Sequence, residues 1–79
     1  MADMNGKVAI VTGGSAGIGK STVETFVRRG AKVTIADIDA EAGERLVQSL
    51  PEGQAIFVRT DVSRQADVEN LVQKTVEQF

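Results

Sequence analysis

The residues with the clearest chemical potential form one glycine-rich segment, Thr12-Gly13-Gly14-Ser15-Ala16-Gly17-Ile18-Gly19. This segment follows a short, apolar, β-branched stretch and precedes a pattern typical of a helix. Glycines at such a junction let the backbone turn sharply and let a phosphate approach the main chain. The amide groups at the start of the helix and the helix dipole then attract the anion. The segment therefore predicts a phosphate-binding turn.

Two kinds of phosphate site fit this segment. The first is a dinucleotide turn of the form T-G-x-x-x-G-x-G, in which Gly19 allows the helix to pack closely on the strand. The second is a P-loop, because residues 14–21 match G-x-x-x-x-G-K-S. In a P-loop, Lys20 would contact the β- and γ-phosphates of a nucleoside triphosphate and Ser21 would bind Mg²⁺.

An acidic residue farther along the chain favours the dinucleotide turn. Such a site needs an acid at the end of the second strand, about 20 residues beyond the glycines, to hold the ribose hydroxyls. Asp37 lies 18 residues after Gly19 and closes an apolar β-branched stretch. A P-loop protein could use Asp37, or less well Asp61, as its second acid. That alternative leaves Gly13 and Gly17 without a function.

Composition excludes several other classes of site. The chain has no histidine, cysteine or tyrosine, so thiolate and imidazole metal sites and a histidine base are absent. The net charge of −2 comes with no basic stripe, and we expect no nucleic-acid partner. The longest apolar run, residues 8–11, is far shorter than the roughly 20 residues of a membrane span. Residues 1–6 do not resemble a secretory signal, so a cytoplasmic location is expected.

The elements that must position these residues alternate along the chain. Residues 7–12, 32–37 and 55–59 are predicted strands, buried on both faces. The intervening segments are predicted helices. The first covers residues 18–29, the second has Asp39 as its N-cap, and the third follows Ser63 as a further N-cap candidate. The expected buried stripes are Ile18, Val23, Phe26 and Val27; Leu46, Val47 and Leu50; and Val68, Leu71, Val72, Val76 and Phe79.

The order β-α-β-α-β-α predicts an α/β fold with a Rossmann-like parallel sheet of strand order 3-2-1. The first two helices are expected on one face of the sheet. In a complete doubly wound fold, the third helix would cross the other face to a fourth strand beside the first. We therefore expect residues 1–79 to be the N-terminal part of a single dinucleotide-binding Rossmann domain that continues beyond them.

The chain resembles the N-terminal portion of short-chain dehydrogenases/reductases. The glycine motif of that family matches at Thr12, Gly13, Gly17 and Gly19, with Ile18 in its usual place. Residues 30–33 resemble the entry to the second strand of the family, and Asp61-Val62 resembles the pair that contacts adenine after its third strand.

The resemblance implies a set of cofactor contacts. The residues that would frame the pyrophosphate and the adjacent ribose are Gly13, Ser15, Gly17, Ile18 and Gly19. Asp37 would accept hydrogen bonds from the adenosine ribose hydroxyls, Asp61 would bind the adenine amino group, and the Val62 amide an adenine ring nitrogen. An ionised Asp37 would repel a 2′-phosphate, and no arginine occupies positions 16 or 38 to bind one. NAD is therefore expected in preference to NADP.

The resemblance also implies an activity for an intact parent: hydride transfer between NAD(H) and a small secondary alcohol or ketone, in a homodimer or homotetramer. The catalytic tyrosine, lysine and serine of the family would lie beyond Phe79, so no catalytic residue is expected in this chain. A third hypothesis is a non-catalytic half-Rossmann module that protects its first strand by pairing with a second copy.

Overall fold

The computed structural model describes residues 3–79, in which three parallel strands alternate with three helices. Met1 and Ala2 of the N-terminal segment considered above lie outside the described residues. In chain order, the elements are β1 (Val8–Thr12), α1 (Gly17–Arg28), β2 (Lys32–Asp37), α2 (Ala40–Ser49), β3 (Ala55–Arg59) and α3 (Gln65–Gln78). The predicted α/β class and the alternation of elements are confirmed.

The sheet places β2 between its two neighbours. Thr12 pairs with Ala36 at the end of β1, and Asp37 pairs with Arg59 at the end of β2. The structure gives the strand order as 1-2-3, whereas the sequence predicted 3-2-1. Both statements name the same neighbouring strands, read from opposite edges of the sheet. The carboxyl ends of all three strands lie at one edge, where ligands bind in open α/β sheets.

The core lies on one face of the sheet, beneath α1 and α2. Val33 and Ile35 of β2 are fully buried there against Val23 of α1 and Leu46 of α2. The predicted placement of the first two helices on one face is confirmed. Burying side chains of this size contributes roughly 1.5–3 kcal/mol each. Gly43 brings α2 against Phe57 of β3, where any side chain would overlap the ring.

The opposite face carries α3. The hydroxyls of Thr75 in this helix and Thr34 in β2 are hydrogen-bonded to each other at 2.9 Å, and both threonines are buried. Helix α3 packs on β3 and reaches β2, but it does not cover β1 on the far side of β2. Val8 and Ile10, whose side chains alternate onto this face, are therefore 47% and 40% exposed. The prediction that β1 is buried on both faces is wrong for this reason.

Two predicted helical stripes also need correction. Ile18 is 87% exposed. It lies roughly 140° and 180° around the helix from Val23 and Val27, so it cannot share their buried side. In α3, Leu71 and Thr75 are the buried residues. The valines at positions 68, 72 and 76 are exposed, and Phe79 is only half-buried.

The predicted N-caps have different outcomes. Asp39 caps α2, because its Oδ1 accepts a hydrogen bond from the Ala42 amide at 3.0 Å. Ser63 does not cap α3, which begins at Gln65 after Arg64 and has no side-chain cap. The Ser63 hydroxyl is instead turned back to Asp61, two residues earlier, to which it donates a hydrogen bond at 2.6 Å.

Candidate functional site

The glycine-rich turn joins the end of β1 to the start of α1 through residues 13–16. Gly13 and Gly17 adopt φ values of 66° and 58°. Residues with side chains rarely adopt this left-handed region, so glycine makes the sharp turn possible. The Gly13 amide donates to the Ala36 carbonyl at 2.7 Å, which ties the turn to β2.

Gly19 lets the first turn of α1 rest directly on this loop. A Cβ atom at that position would overlap the carbonyl oxygen of Gly13. A side chain at Gly14 would press on the Val11 carbonyl and on Val23 and Ile35. The glycines therefore keep α1 close to the sheet and aim its N-terminus at the edge where the strands end.

The start of α1 offers backbone amide groups to an anion. The first helical hydrogen bond runs from the Lys20 amide to the Ala16 carbonyl at 3.2 Å. The amides of Gly17, Ile18 and Gly19 precede that bond, so they have no partner within the helix. Ala16 provides no side-chain cap, and the first turn contains no acid. The dipole and these amides therefore favour a negatively charged group here.

Asp37 ends β2 beside this turn, and Ser15 binds it directly. The backbone amide of Ser15 donates to Asp37 Oδ2 at 3.3 Å, and its hydroxyl donates to the same oxygen. The other oxygen, Oδ1, accepts from the Asp39 amide at 3.2 Å. Ser15 is buried, with only 7% of its surface exposed. The carboxylate is thus held in one orientation by Ser15, from the turn after β1, and by the Asp39 amide, from the loop after β2.

These hydrogen bonds lower the pKa of Asp37. The Ser15 hydroxyl makes the largest contribution, and partial burial opposes it. The backbone amides of Asp39, Ser15 and Ile38 lower the pKa further. Each of these donors favours the ionised form. Asp37 therefore carries a full negative charge at neutral pH.

Asp61 lies at the same edge, after β3. Its Oδ1 accepts from the Ser63 amide at 3.0 Å and from the Ser63 hydroxyl at 2.6 Å. The hydroxyl contact is the main reason that the pKa of Asp61 is lowered, with the Ser63 amide next. The Asp61 amide donates to Asp67 Oδ2 at 3.0 Å, which fixes the loop to the start of α3.

A single open cavity of about 370 Å³ brings four of the predicted site residues together: Gly13, Asp37, Asp61 and Val62. Thr12, Ala36, Ile38 and Thr60 complete its lining. Gly17 and Ile18 instead line a separate groove along α1. Ser15 lines a third cavity, of about 460 Å³, together with Lys20 and Arg45.

Sequence reasoning missed the bond from Ser15 to Asp37 and the cavity shared by Lys20 and Arg45. Ser15 and Asp37 are 22 residues apart, and no local pattern connects them. The available signal was indirect: if β1 and β2 are adjacent and parallel, the residues that follow β1 face the end of β2.

The P-loop alternative is not favoured. Helix α1 already begins at Gly17, and the Lys20 amide is bonded within it. A P-loop needs the backbone amides before its lysine to wrap around a phosphate. Here the segment between strand and helix has only residues 13–16 for that purpose.

Among residues 3–79, no three histidine, cysteine, aspartate or glutamate side chains cluster in a way that could hold a metal ion. None of the helices described there has the length and apolar character needed to cross a bilayer.

The sequence of this chain is similar to those of known dehydrogenases. A sequence model described as short chain dehydrogenase matches residues 7–79. Over all 79 residues, the chain is 47% identical to a 2,5-dichloro-2,5-cyclohexadiene-1,4-diol dehydrogenase of Sphingobium indicum, and it spans 31% of that relative's length.

Two solved structures show the same arrangement of elements. One is a short chain dehydrogenase/reductase from Burkholderia phymatum in complex with NAD. It matches all of this chain and 29% of its own with a TM-score of 0.92 and 38% identity. The other is a 3-ketoacyl-(acyl-carrier-protein) reductase from Brucella melitensis complexed with NADH. It has a TM-score of 0.93 and 35% identity over 98% of this chain and 31% of its own.

Proposed function

The chain belongs to the short-chain dehydrogenase family, and on that premise we propose that residues 1–79 form the NAD-binding part of a Rossmann domain in an oxidoreductase. The single observation that carries this proposal is the placement of Asp37. It ends the central strand beside the glycine turn and faces the same cavity as Gly13, Asp61 and Val62.

The pyrophosphate of the cofactor binds at the start of α1 in this proposal. The amides of Gly17, Ile18 and Gly19 lack helical partners and lie where the dipole favours an anion. The absence of a side chain at Gly13 leaves open space in which the pyrophosphate can approach the backbone of the turn. Ser15 lies beside the adjacent ribose. The exposure of Ile18 supports a role at the ligand surface, because nothing else in the described residues covers it.

The adenosine half binds in the 370 Å³ cavity. The Asp37 carboxylate accepts hydrogen bonds from the ribose hydroxyls and, being ionised, repels a 2′-phosphate. Asp61 accepts a hydrogen bond from the adenine amino group through Oδ2, since Ser63 already occupies Oδ1. The Val62 amide donates to an adenine ring nitrogen. NAD is therefore the proposed cofactor in preference to NADP.

The activity proposed for the whole protein is hydride transfer between NAD(H) and a small secondary alcohol or ketone. When bound, the nicotinamide ring accepts or donates the hydride, and the residues of this chain bind and orient the other half of the cofactor. None of its residues is proposed as catalytic. A homodimer or homotetramer is proposed from the family resemblance alone. A cytoplasmic location and the lack of a nucleic-acid partner stay predictions from the sequence.

The proposal is tested by removing the carboxylate that carries it. Asp37→Ala should weaken NAD binding at least about tenfold, since losing a single hydrogen bond to a charged group already costs about 1.5 kcal/mol or more. The same change should bring NADP affinity closer to that of NAD. Isothermal titration with each dinucleotide measures both effects.

A matched control is Glu52→Ala, which removes an exposed acid from the turn before β3, at the opposite edge of the sheet. Its affinities for NAD and NADP should equal those of the unaltered chain. If Asp37→Ala leaves the preference for NAD unchanged, the proposed role of Asp37 is wrong.

A further inference from the structure

The side chain of Ser15 lies between two cavities that differ in charge. On one side is the carboxylate of Asp37, which faces the cavity proposed for adenosine. On the other side, Ser15 itself lines the 460 Å³ cavity with Lys20 of α1 and Arg45 of α2. The hydrogen bonds from Ser15 to Asp37 can therefore influence whether this edge of the sheet accepts a dinucleotide with or without a 2′-phosphate.

The hydroxyl of Ser15 is committed to Asp37. A serine hydroxyl has one hydrogen to donate and two lone pairs that accept. That hydrogen is donated to Asp37 Oδ2, and the Ser15 amide donates to the same oxygen. Ser15 consequently has no hydrogen left for a phosphate oxygen. With Ser15 intact, both side chains at this point can only accept hydrogen bonds from a ligand.

The orientation of Asp37 also depends on Ser15. Ser15 donates two hydrogen bonds to Oδ2 of Asp37, and the Asp39 amide donates one to Oδ1, so Oδ1 is the less occupied oxygen and the one that faces the ribose hydroxyls in the proposed site. Without the Ser15 hydroxyl, Asp37 keeps only contacts with backbone amides, and those of Ser15 and Asp39 are long, at 3.3 and 3.2 Å. The carboxylate would then be held less firmly in its orientation.

The second cavity makes this orientation important. Lys20 and Arg45 are cations on its wall, and the ion pair of Arg45 with Glu41 at 3.3 Å is exposed and weak. A phosphate group near the ribose would be attracted toward these cations. The ionised carboxylate of Asp37, held in place by Ser15 at the wall of this cavity, opposes that attraction.

We propose that Ser15 is a specificity-determining positioning residue: by donating both its amide and its hydroxyl to one oxygen of Asp37, it fixes the carboxylate and excludes a 2′-phosphate from the neighbouring Lys20–Arg45 cavity. This inference rests on the proposed binding of NAD. It adds that the preference for NAD belongs to the pair of residues and not to Asp37 alone.

The test compares three variants of the full chain by titration with NAD and NADP. In Ser15→Ala, the ratio of the NADP to the NAD dissociation constant should fall about tenfold, the size expected for one hydrogen bond to a charged group. Ser15→Thr keeps the hydroxyl and should restore most of the ratio. Ser63→Ala removes the corresponding hydroxyl at Asp61 and should leave the ratio unchanged.

A pH series separates positioning from a general loss of structure. The Ser15 hydroxyl is the main cause of the lowered Asp37 pKa, so its removal raises that pKa. As the pH is lowered, the preference for NAD should therefore be lost at a higher pH in Ser15→Ala than in the unaltered chain. Ionisation of the 2′-phosphate near pH 6 is common to both proteins and cancels in the comparison.

The outcomes are distinct. An unaltered chain that binds neither dinucleotide contradicts the proposed function itself. An unaltered chain that binds NAD, with the same ratio and pH series in Ser15→Ala, contradicts only the role of Ser15. A ratio that falls equally in Ser63→Ala, or that Ser15→Thr does not restore, also contradicts it.

Discussion

Asp37 and Asp61 are held by the same chemistry in two different structural settings. Each follows or ends a strand at the same edge of the sheet, and each receives the amide and hydroxyl of one serine on a single carboxylate oxygen. At Asp61 the serine is two residues away and exposed. At Asp37 it is 22 residues away, in another element, and buried.

The difference separates local from tertiary order. The turn at Asp61 uses an arrangement that aspartate and serine form in short segments without help from the rest of the chain. The pair of Ser15 and Asp37 forms only when β1 and β2 are paired and the glycine turn is closed. The geometry of the Asp37 site therefore depends on folding, and that of the Asp61 turn does not.

The largest effect is expected from Gly19→Ala, which should disturb the Asp37 site and leave the Asp61 turn intact. The added Cβ would overlap the Gly13 carbonyl, so α1 must move away from the turn. We expect a loss of about 2–3 kcal/mol in the free energy of unfolding, in the range of overpacking changes, with loss of NAD binding. Urea denaturation and amide NMR check this. Signals of Asp61 and Ser63 should stay nearly unchanged while those of Ser15 and Asp37 shift.

A smaller effect is expected from Ser15→Ala on stability. It removes a hydrogen bond to a charged, partly exposed group, which we expect to be worth about 1 kcal/mol near neutral pH. The pKa of Asp37 is lowered in the folded chain, so its contribution is present above about pH 4 and is lost as pH falls through the folded pKa. Denaturation measured from pH 7 to pH 3 should show a shallower decline in the variant. An unchanged slope would contradict the assigned pKa effect.

Ser63→Ala should have a still smaller effect on stability. Ser63 is exposed, and a turn between residues two apart can also form transiently in the unfolded chain, so part of the interaction cancels. We expect a change in the free energy of unfolding that is clearly smaller than that of Ser15→Ala, as is typical of a surface substitution. A loss as large as that of Ser15→Ala would remove the distinction between the two sites.

The smallest effect is expected from Glu41→Ala, which frees Arg45 at the wall of the basic cavity. The pair is exposed and spaced by four residues on α2, so its removal should change stability by about 0.3–0.5 kcal/mol at most. The same variant sharpens the comparison in a Ser15→Ala background. There an unpaired Arg45 should strengthen NADP binding further, and titration at low salt measures this gain.

The sequence predicted what depends on periodicity and on glycine. The strands, the order of elements, the turn at residues 13–16 and the cap at Asp39 follow from local patterns and are confirmed. The predicted burial of Ile18 is wrong because its side chain lies on the opposite side of α1 from Val23 and Val27, although it is apolar and close to them in sequence. The predicted cap at Ser63 is wrong because α3 begins after Arg64, one residue later, and the Ser63 hydroxyl is turned back to Asp61.

Other features could not be read from local patterns. The exposure of Val8 and Ile10 depends on how far α3 reaches across the sheet. The bond between Ser15 and Asp37 depends on the register of β1 with β2, which brings the turn after Thr12 alongside the end of the central strand. Such contacts require the assembled sheet.

The dinucleotide site is best tested by an amide-resolved NMR titration of the chain, first with NAD and then separately with ATP and Mg²⁺. With NAD, we expect shifts concentrated at residues 13–19, Asp37 and Val62, with Glu52 at the opposite edge unaffected. With ATP and Mg²⁺, we expect no specific response at Lys20 and Ser21. Shifts at Lys20 and Ser21 with ATP and Mg²⁺, and none with NAD, would contradict the dinucleotide site and favour the P-loop.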